Sequence, residues 1–356
     1  MEVHVLYEKW PYRNSPWDTF KACIPPRNTN STESSNYDRV HCIISSFLGA
    51  WSGYILPIAC GLGLIINTFI SITIFMKIKL MPRYMIYMAF AAIMSMLTNI
   101  IFGWLWLFAA KGMPYITNGK RYYIVYNVSP IACQSHRFFS SFTSTCLCNL
   151  LVCAALDRFF SIYFPIQFNK LPKYYAWCAC GVAHLISFIM MLPLLFTTDF
   201  YFVESKTQCS MDPNNHAIQL YQALFSNLGF VQSLILVALN CAFLRLINKR
   251  LKETTMKRLN AADRKQIQTS IFFLVYSASY TVTSLPQTVA YIIGRLSISV
   301  NSSKFAFHIA DIFWNFHFTR EVFDFFIYFK FFRTFRLVVL DVCKPCHHRM
   351  KLKFNE

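Results

Sequence analysis

Charge is scarce in this chain: Asp, Glu, Lys and Arg make up only 14% of its residues, where a soluble domain carries about 25%. Acids are scarcer still, 16 against 34 Lys and Arg, for a formal net charge of +18. So thin a polar coat does not cover a water-soluble surface of 356 residues. Glycine is sparse at 10 residues, and no glycine-rich phosphate cradle, H-E-x-x-H or G-x-S-x-G occurs. No enzyme is expected, and neither a cofactor nor a metal is implied. Residues 1–45 hold Pro11, Pro16, Pro25 and Pro26 but no apolar segment of the kind a cleaved signal peptide has, so the first span is expected to direct its own insertion.

What is plentiful is apolar. Hydrophobic residues reach 55%, mean hydropathy is +0.38, and Phe alone counts 36. They fall in blocks long enough to cross a bilayer, which takes about 20 residues of helix. Seven such runs are expected, at about 46–75, 84–110, 133–165, 174–198, 217–247, 267–293 and 305–328. The fold class that follows is an all-α membrane protein, a seven-transmembrane helix bundle. Residues 1–45 form a polar amino-terminal arm, 46–328 the transmembrane domain, and 329–356 a tail with a short amphipathic helix.

Two signals give one orientation. The glycosylation acceptors Asn30, Asn127 and Asn301 lie in the arm and in the loops after runs two and six. Lys and Arg gather instead in the links after runs one, three and five and in the tail. The positive-inside rule therefore agrees with the acceptors: amino terminus outside, carboxyl terminus in the cytoplasm. The same placement argues against nucleic acid as the partner of the positive charge.

Most of the 13 cysteines lie inside apolar runs and read as packing residues. Cys23, Cys42, Cys133 and Cys209 lie in outer segments, where disulfides form. Cys343 and Cys346, in the basic tail, allow two readings. One is palmitoylation; the other is half of a zinc site with His347 and His348, for which no second pair exists.

The third run is the most telling. Cys133 opens it and Asp157-Arg158 closes it, about 25 residues or 37 Å of helix apart. A carboxylate and a guanidinium at that depth need each other or a wet interface. By itself the pair allows a plain reading, an interfacial charge pair that only fixes helix depth.

The order of motifs across the seven runs resembles the rhodopsin-like, or class A, G-protein-coupled receptors. Gly63-Leu64-Ile65-Ile66-Asn67 resembles the family's Gly-x-x-x-Asn, and Asp157-Arg158-Phe159 its Asp-Arg-Tyr. Pro165 matches the proline of the following turn, and Pro286 the proline of span six. Asp324-Phe325-Phe326-Ile327-Tyr328 resembles Asn-Pro-x-x-Tyr, and Phe332 to Arg336 the start of the membrane-parallel helix. The resemblance implies a Cys133–Cys209 disulfide, an Arg158 that Asp157 restrains until activation turns it toward a heterotrimeric G protein, and a plasma-membrane location.

The departures are specific. Ser95 stands where the family carries an aspartate that holds an inner sodium ion. Ser284 replaces the tryptophan before the span-six proline, span five has no proline, and Trp177 is too early for the span-four tryptophan. Gln266 replaces an acid at the base of span six, so any Arg158 contact there is uncharged and a leaky inactive state is expected.

Span seven carries Arg320, Glu321 and Asp324, which are expensive in lipid and usually face the bundle interior. Arg320 and Asp324 are spaced to pair on one face. Either the cluster only packs, or Asp324 joins Ser95 and Asn67 in a polar hinge. At the outer pocket Ser140 stands where amine receptors carry an aspartate, and Phe318 where opsins carry a lysine. Monoamines and retinal are therefore disfavoured. The remaining outer residues (Tyr122, Tyr123, Tyr126, Asp199, Glu204, Asp212, Arg295 and Asp311) suit a peptide, and the Asp-Phe-Phe-Ile-Tyr ending is similar to that of invertebrate neuropeptide receptors. Glu204 and Asp311 are candidates for a cationic side chain of the ligand, or are ordinary solvated charges. The basic link 248–266 serves a G protein or only anionic lipid. A chemosensory receptor of the same fold is the alternative within the family. A transporter or channel is the rival from another class, although no internal repeat of the kind transporters show is present.

Overall fold

The computed structural model describes residues 32–77, 79, 81–121, 123–168, 170–203, 206–212, 215–225, 229–255, 261–297, 300–332, 335–337 and 339–340. Asn30, Cys23, Glu204, Cys343, Cys346 and the side chains of Pro165, Gln266 and Asn301 lie outside the described set.

The described residues are almost all helical and cross back and forth as a bundle. Span one runs from Thr32–Ala50 through a π-helical turn, Trp51–Ile55, into Leu56–Met76. Span two is Tyr84–Thr98, continued by a wide-wound π stretch, Asn99–Gly112, and by Met113–Ile116. Span three is Pro130–Tyr163, span four Tyr174–Thr197, and a short helix, Pro165–Phe168, lies between them. Span five is in two pieces, His216–Phe225 and Phe230–Thr255, with Gly229 at a positive φ of 50° between them. Spans six and seven are Ala261–Leu296 and Val300–Phe331. Among the described residues, five stretches are apolar and long enough by themselves to cross a membrane. Spans six and seven have the length, but their apolar runs are interrupted by inward-turned polar residues.

The distribution of side chains is that of a protein solvated by lipid. Ile58, Ile65, Ile72 and Met76 stand exposed along span one, and Val182, Leu185, Ile189 and Phe196 along span four. Asn67, Ser95, Asn99, Glu321 and Asp324 are all buried. Polar groups turned inward and aliphatics turned outward are what a hydrocarbon solvent demands.

Local sequence explains the helix ends. Ser129 accepts a hydrogen bond from the Ala132 amide at 3.1 Å, with Pro130 at the first helical position, so span three starts with a side-chain cap and a proline that loses no bond. Close approach explains two glycines. A Cβ at Gly103 would stand 2.6 Å from Cys60 Sγ, and one at Gly112 would meet the Ser52 backbone. Spans one and two thus approach backbone to backbone, as small residues permit in membranes.

Span three is the axis and packs against spans two, four, five and six. The core around it is aromatic, with Tyr84, Phe272, Phe273, Tyr280, Trp314, Phe318 and Tyr328 fully buried. After span seven, residues 335–337 and 339–340 are helical, and Phe335 is buried against Phe69, Phe325 and Tyr328 while Leu337 is exposed.

One stretch differs from the sequence expectation of a polar loop. β1 (Thr198–Val203) and β2 (Lys206–Met211) pair as an antiparallel hairpin, with Phe200 opposite Cys209. The β-branched and aromatic residues of Thr-Asp-Phe-Tyr-Phe-Val favour a strand once a partner is held beside it. The link after span five also differs, since the helix continues to Thr255.

Candidate functional site

Three polar clusters lie along the bundle axis. The first is at the foot of span three. Asp157 is buried and holds two guanidiniums: Arg83 Nε donates to one carboxylate oxygen at 2.5 Å and Arg158 to the other at 2.7 Å. Arg83 sits one residue ahead of span two, and its second arm donates to the Phe168 and Leu171 carbonyls at 2.9 and 3.1 Å. One side chain thus ties span two, span three and the link that follows. Arg158 also donates to Ser161 Oγ at 3.1 Å and lies over the Tyr84 ring at 4.2 Å. Phe159 stacks on Tyr163. Every described partner of Arg158 belongs to span two or span three, so the arginine is folded back on its own helix.

Arg83 was counted from sequence only as one basic residue of a link. Its signal was its position, because an arginine at the first step of a membrane helix faces either lipid headgroups or a buried acid.

The second cluster is at mid-bundle and corrects the expectation for span seven. Ser95 and Asn67 do not meet Asp324; they meet Glu321. Ser95 Oγ donates to Glu321 Oε1 at 2.5 Å, and Asn67 and Asn99 donate to Oε2 at 3.0 and 2.7 Å. Asp324 lies one helical turn further on and turns to Arg320 at 3.4 Å. The reason is angular: residues three apart on a helix are offset by about 60°, enough to point Glu321 at spans one and two and Asp324 toward span six. Arg320 completes the second pairing by lying between the rings of Tyr276 and Tyr280, at 5.5 and 5.4 Å. Tyr328 is buried against Phe272 and Tyr276. His317 sits above Glu321 and shares a hydrogen bond with Thr283 at 3.1 Å. Span seven is further tied to span one through Asn315–Ser52 and Trp51–Thr319. Glu321 was singled out in the sequence as a span-seven charge, whereas Asn99 was missed, although it lies four residues, about one helical turn, from Ser95.

The third cluster lies at the Cys133 end. Cys133 and Cys209 form a disulfide that holds the hairpin against span three, and Trp106 donates to Tyr126 at 3.2 Å beside it. Ser140 is buried and donates to the Arg137 carbonyl at 3.1 Å. Ser284 approaches Ser233 of span five at 3.4 Å, two residues before Pro286 in the unbroken helix of span six. The amide of Gln287, fully buried, has no partner among the described residues. Asp311 is buried on span seven, and Asn127 is also buried, so a glycan there meets packed protein. Tyr291, Arg295 and Gln222 form one network. Arg295 donates to the Tyr291 hydroxyl at 2.8 and 3.1 Å and to Gln222 Oε1 at 3.3 Å, and Tyr291 donates to the same Gln222 oxygen at 3.2 Å.

No group of three or more His, Cys, Asp or Glu placed to hold a metal occurs among the described residues. The arrangement places polar clusters at both ends and in the middle of the bundle.

Residues 67–328 match the family model described as 7 transmembrane receptor (rhodopsin family). Among known proteins, the G-protein coupled receptor 183 of Bos taurus is 26% identical over 151 residues, 40% of this chain and 41% of that protein. The G-protein coupled receptor 183 of Mus musculus is 34% identical over 67 residues, 18% of this chain and 19% of that protein. The matched stretches thus span less than half the length of these relatives.

Proposed function

The chain belongs to the rhodopsin family of seven-transmembrane receptors, and on that premise we propose that it binds an extracellular peptide and activates a heterotrimeric G protein. The amino-terminal arm, 1–45, and the hairpin face outward. The span 46–328 crosses the plasma membrane, and the tail, 329–356, lies in the cytoplasm. The observation that carries the reading is the Asp157 clamp. Arg158 is held back by one carboxylate, one hydroxyl and one aromatic ring, all on spans two and three. A shift of those spans releases it toward the cytoplasmic face as a cation able to cap carbonyls or pair with acids of a partner.

A peptide is favoured by the two-stranded hairpin at the ligand end. The hairpin is two-stranded, and an extended peptide lying along such a hairpin is a common mode of peptide recognition. Buried Asp311, with the sequence-level candidate Glu204, supplies acids for a basic peptide side chain, and Ser140 and Gln287 supply neutral polar contacts.

The test is a panel of peptides applied to cells expressing the receptor, read as calcium or cAMP. A response that Arg158→Ala abolishes while surface expression stays intact supports the reading. Substrate uptake or ion current that persists without G protein overturns it.

A further inference from the structure

Span five is broken where span six packs against it. Its first piece ends at Phe225 and its second begins at Phe230, with Gly229 at a positive φ of 50° between them. One stripe of span six runs past both pieces. Tyr291 donates to Gln222 of the first piece at 3.2 Å, and Ser284 lies 3.4 Å from Ser233 of the second. Gln287 stands between them on a continuous helix, turned by about 60° from Ser284 and about 40° from Tyr291. It therefore faces span five at the height of the break.

Both polar atoms of the Gln287 amide, Oε1 and Nε2, are fully buried and have no hydrogen-bond partner among the described residues. Two other side chains at the break share that condition. Gln232 Oε1 is buried without a partner, and a Cβ at Gly229 would run into it, so this oxygen lies against the break. Ser141 Oγ of span three is also buried and unpartnered. It stands one turn before Thr145, which donates to the Phe225 carbonyl at 3.0 Å, and so shares the face that span three turns to the break. Three helices thus bring two acceptor oxygens, one NH2 group and one hydroxyl to one place, and none of these groups is charged.

A buried amide without partners destabilises the folded chain, and a bound group that supplies both a donor and an acceptor removes that cost. An ionised group does not suit, because none of the unpaired atoms carries a charge to offset its lost hydration. An ester or ether offers acceptors only. In a trans peptide unit the N–H and C=O point opposite ways, so the unit cannot meet both Gln287 atoms at once. A primary carboxamide presents both on one edge and pairs with the Gln287 amide through two parallel hydrogen bonds. Its second N–H suits Gln232 Oε1.

We propose that Gln287, with Gln232 and Ser141, forms a subsite for a primary carboxamide of the activating ligand. The inference rests on the peptide-receptor reading and narrows it: the group buried at the break is an uncharged terminal amide or an Asn or Gln side chain.

The experiment uses the purified full-length receptor with N-acetylphenylalanine amide as probe and N-acetylphenylalanine methyl ester as reference. The amide is expected to raise the unfolding temperature of the natural protein, and the ester is not. Gln287→Leu is expected to unfold no earlier than the natural protein, because no hydrogen bond is lost, and to lose the response to the amide. Gln287→Glu keeps the shape, removes the NH2 donor and is expected to lose the response as well. An amide no better than the ester on the natural protein, or equal amide responses in all three proteins, overturns the proposal. Earlier unfolding of Gln287→Leu with an unchanged amide response makes Gln287 a structural group held through ordered water, and overturns it too. On cells, amide-terminated peptides without Asn or Gln, and ester-terminated peptides with one, separate the two sources of the carboxamide. An active peptide of either set is expected to weaken by about tenfold or more on Gln287→Leu; unchanged potency overturns the subsite. Basal nucleotide exchange on a G protein, compared with Arg158→Ala, tests the receptor reading separately, so either idea can fail alone.

Discussion

Glu321 on span seven receives the Ser95 hydroxyl of span two at 2.5 Å, deep in the bundle. The family pattern puts a carboxylate at the Ser95 position. Here a hydroxyl stands on span two and the carboxylate that accepts from it stands on span seven.

Glu321→Ala leaves Ser95, Asn67 and Asn99 without their acceptor. At about 1–3 kcal/mol for each buried polar group left unpaired, the variant is expected to lose most of its folded surface population. The reciprocal exchange, Ser95→Asp with Glu321→Ser, is expected to recover part of it. Surface immunofluorescence and thermal unfolding in detergent measure both. A double variant no better than Glu321→Ala alone argues against a simple exchange.

Arg83→Ala removes one of the two cations on Asp157 and both anchors of the link after span three. Breaking a buried pair costs about 3–5 kcal/mol, so lower thermal stability is expected. Lys at this position rescues only part, because a point charge does not reach the carboxylate and two carbonyls together. Among molecules that reach the surface, basal G-protein signalling is expected to exceed that of the natural receptor. The natural receptor itself, with uncharged Gln266 at the base of span six, is expected to signal above untransfected cells. A basal assay at equal surface density decides both.

Two glycines give a paired test of the packing. Gly103→Ala drives a methyl against Cys60 Sγ, 2.6 Å from the new Cβ, and overpacking of this kind costs about 1–3 kcal/mol. Gly181→Ala meets nothing within 4 Å on the exposed face of span four. That change is expected to be neutral or to stabilise by up to about 1 kcal/mol through helix propensity. Equal melting temperatures for the two variants contradict this packing.

Cys133→Ala and Cys209→Ala each open the disulfide that holds the hairpin. Each is expected to cost about 2–5 kcal/mol, and the double variant no more than either single, since one bond is lost in all three. Thermal unfolding of the three variants measures it. Additive losses show that the cysteines contribute separately.

Much of this was legible along the chain. Seven apolar runs follow from the demand that backbone polar groups be satisfied within each crossing segment, a demand local enough to read in one dimension. Acceptor and basic-residue placement gave the expected orientation for a similar reason, because each loop answers for itself. The partners of Asp157 were half legible: Arg158 is its neighbour in sequence, whereas Arg83 is 74 positions away.

What the sequence determined by itself was the number and order of the helices, the two cysteines and the Asp-Arg end of span three, all set by hydropathy and local spacing. Only the tertiary structure decided which carboxylate answers Ser95, which arginine shares Asp157, and that Arg295 and Gln222 meet at Tyr291. Those pairings depend on the rotation of each helix about its axis. A few tens of degrees exchange one buried partner for another while the apolar pattern along the chain stays the same.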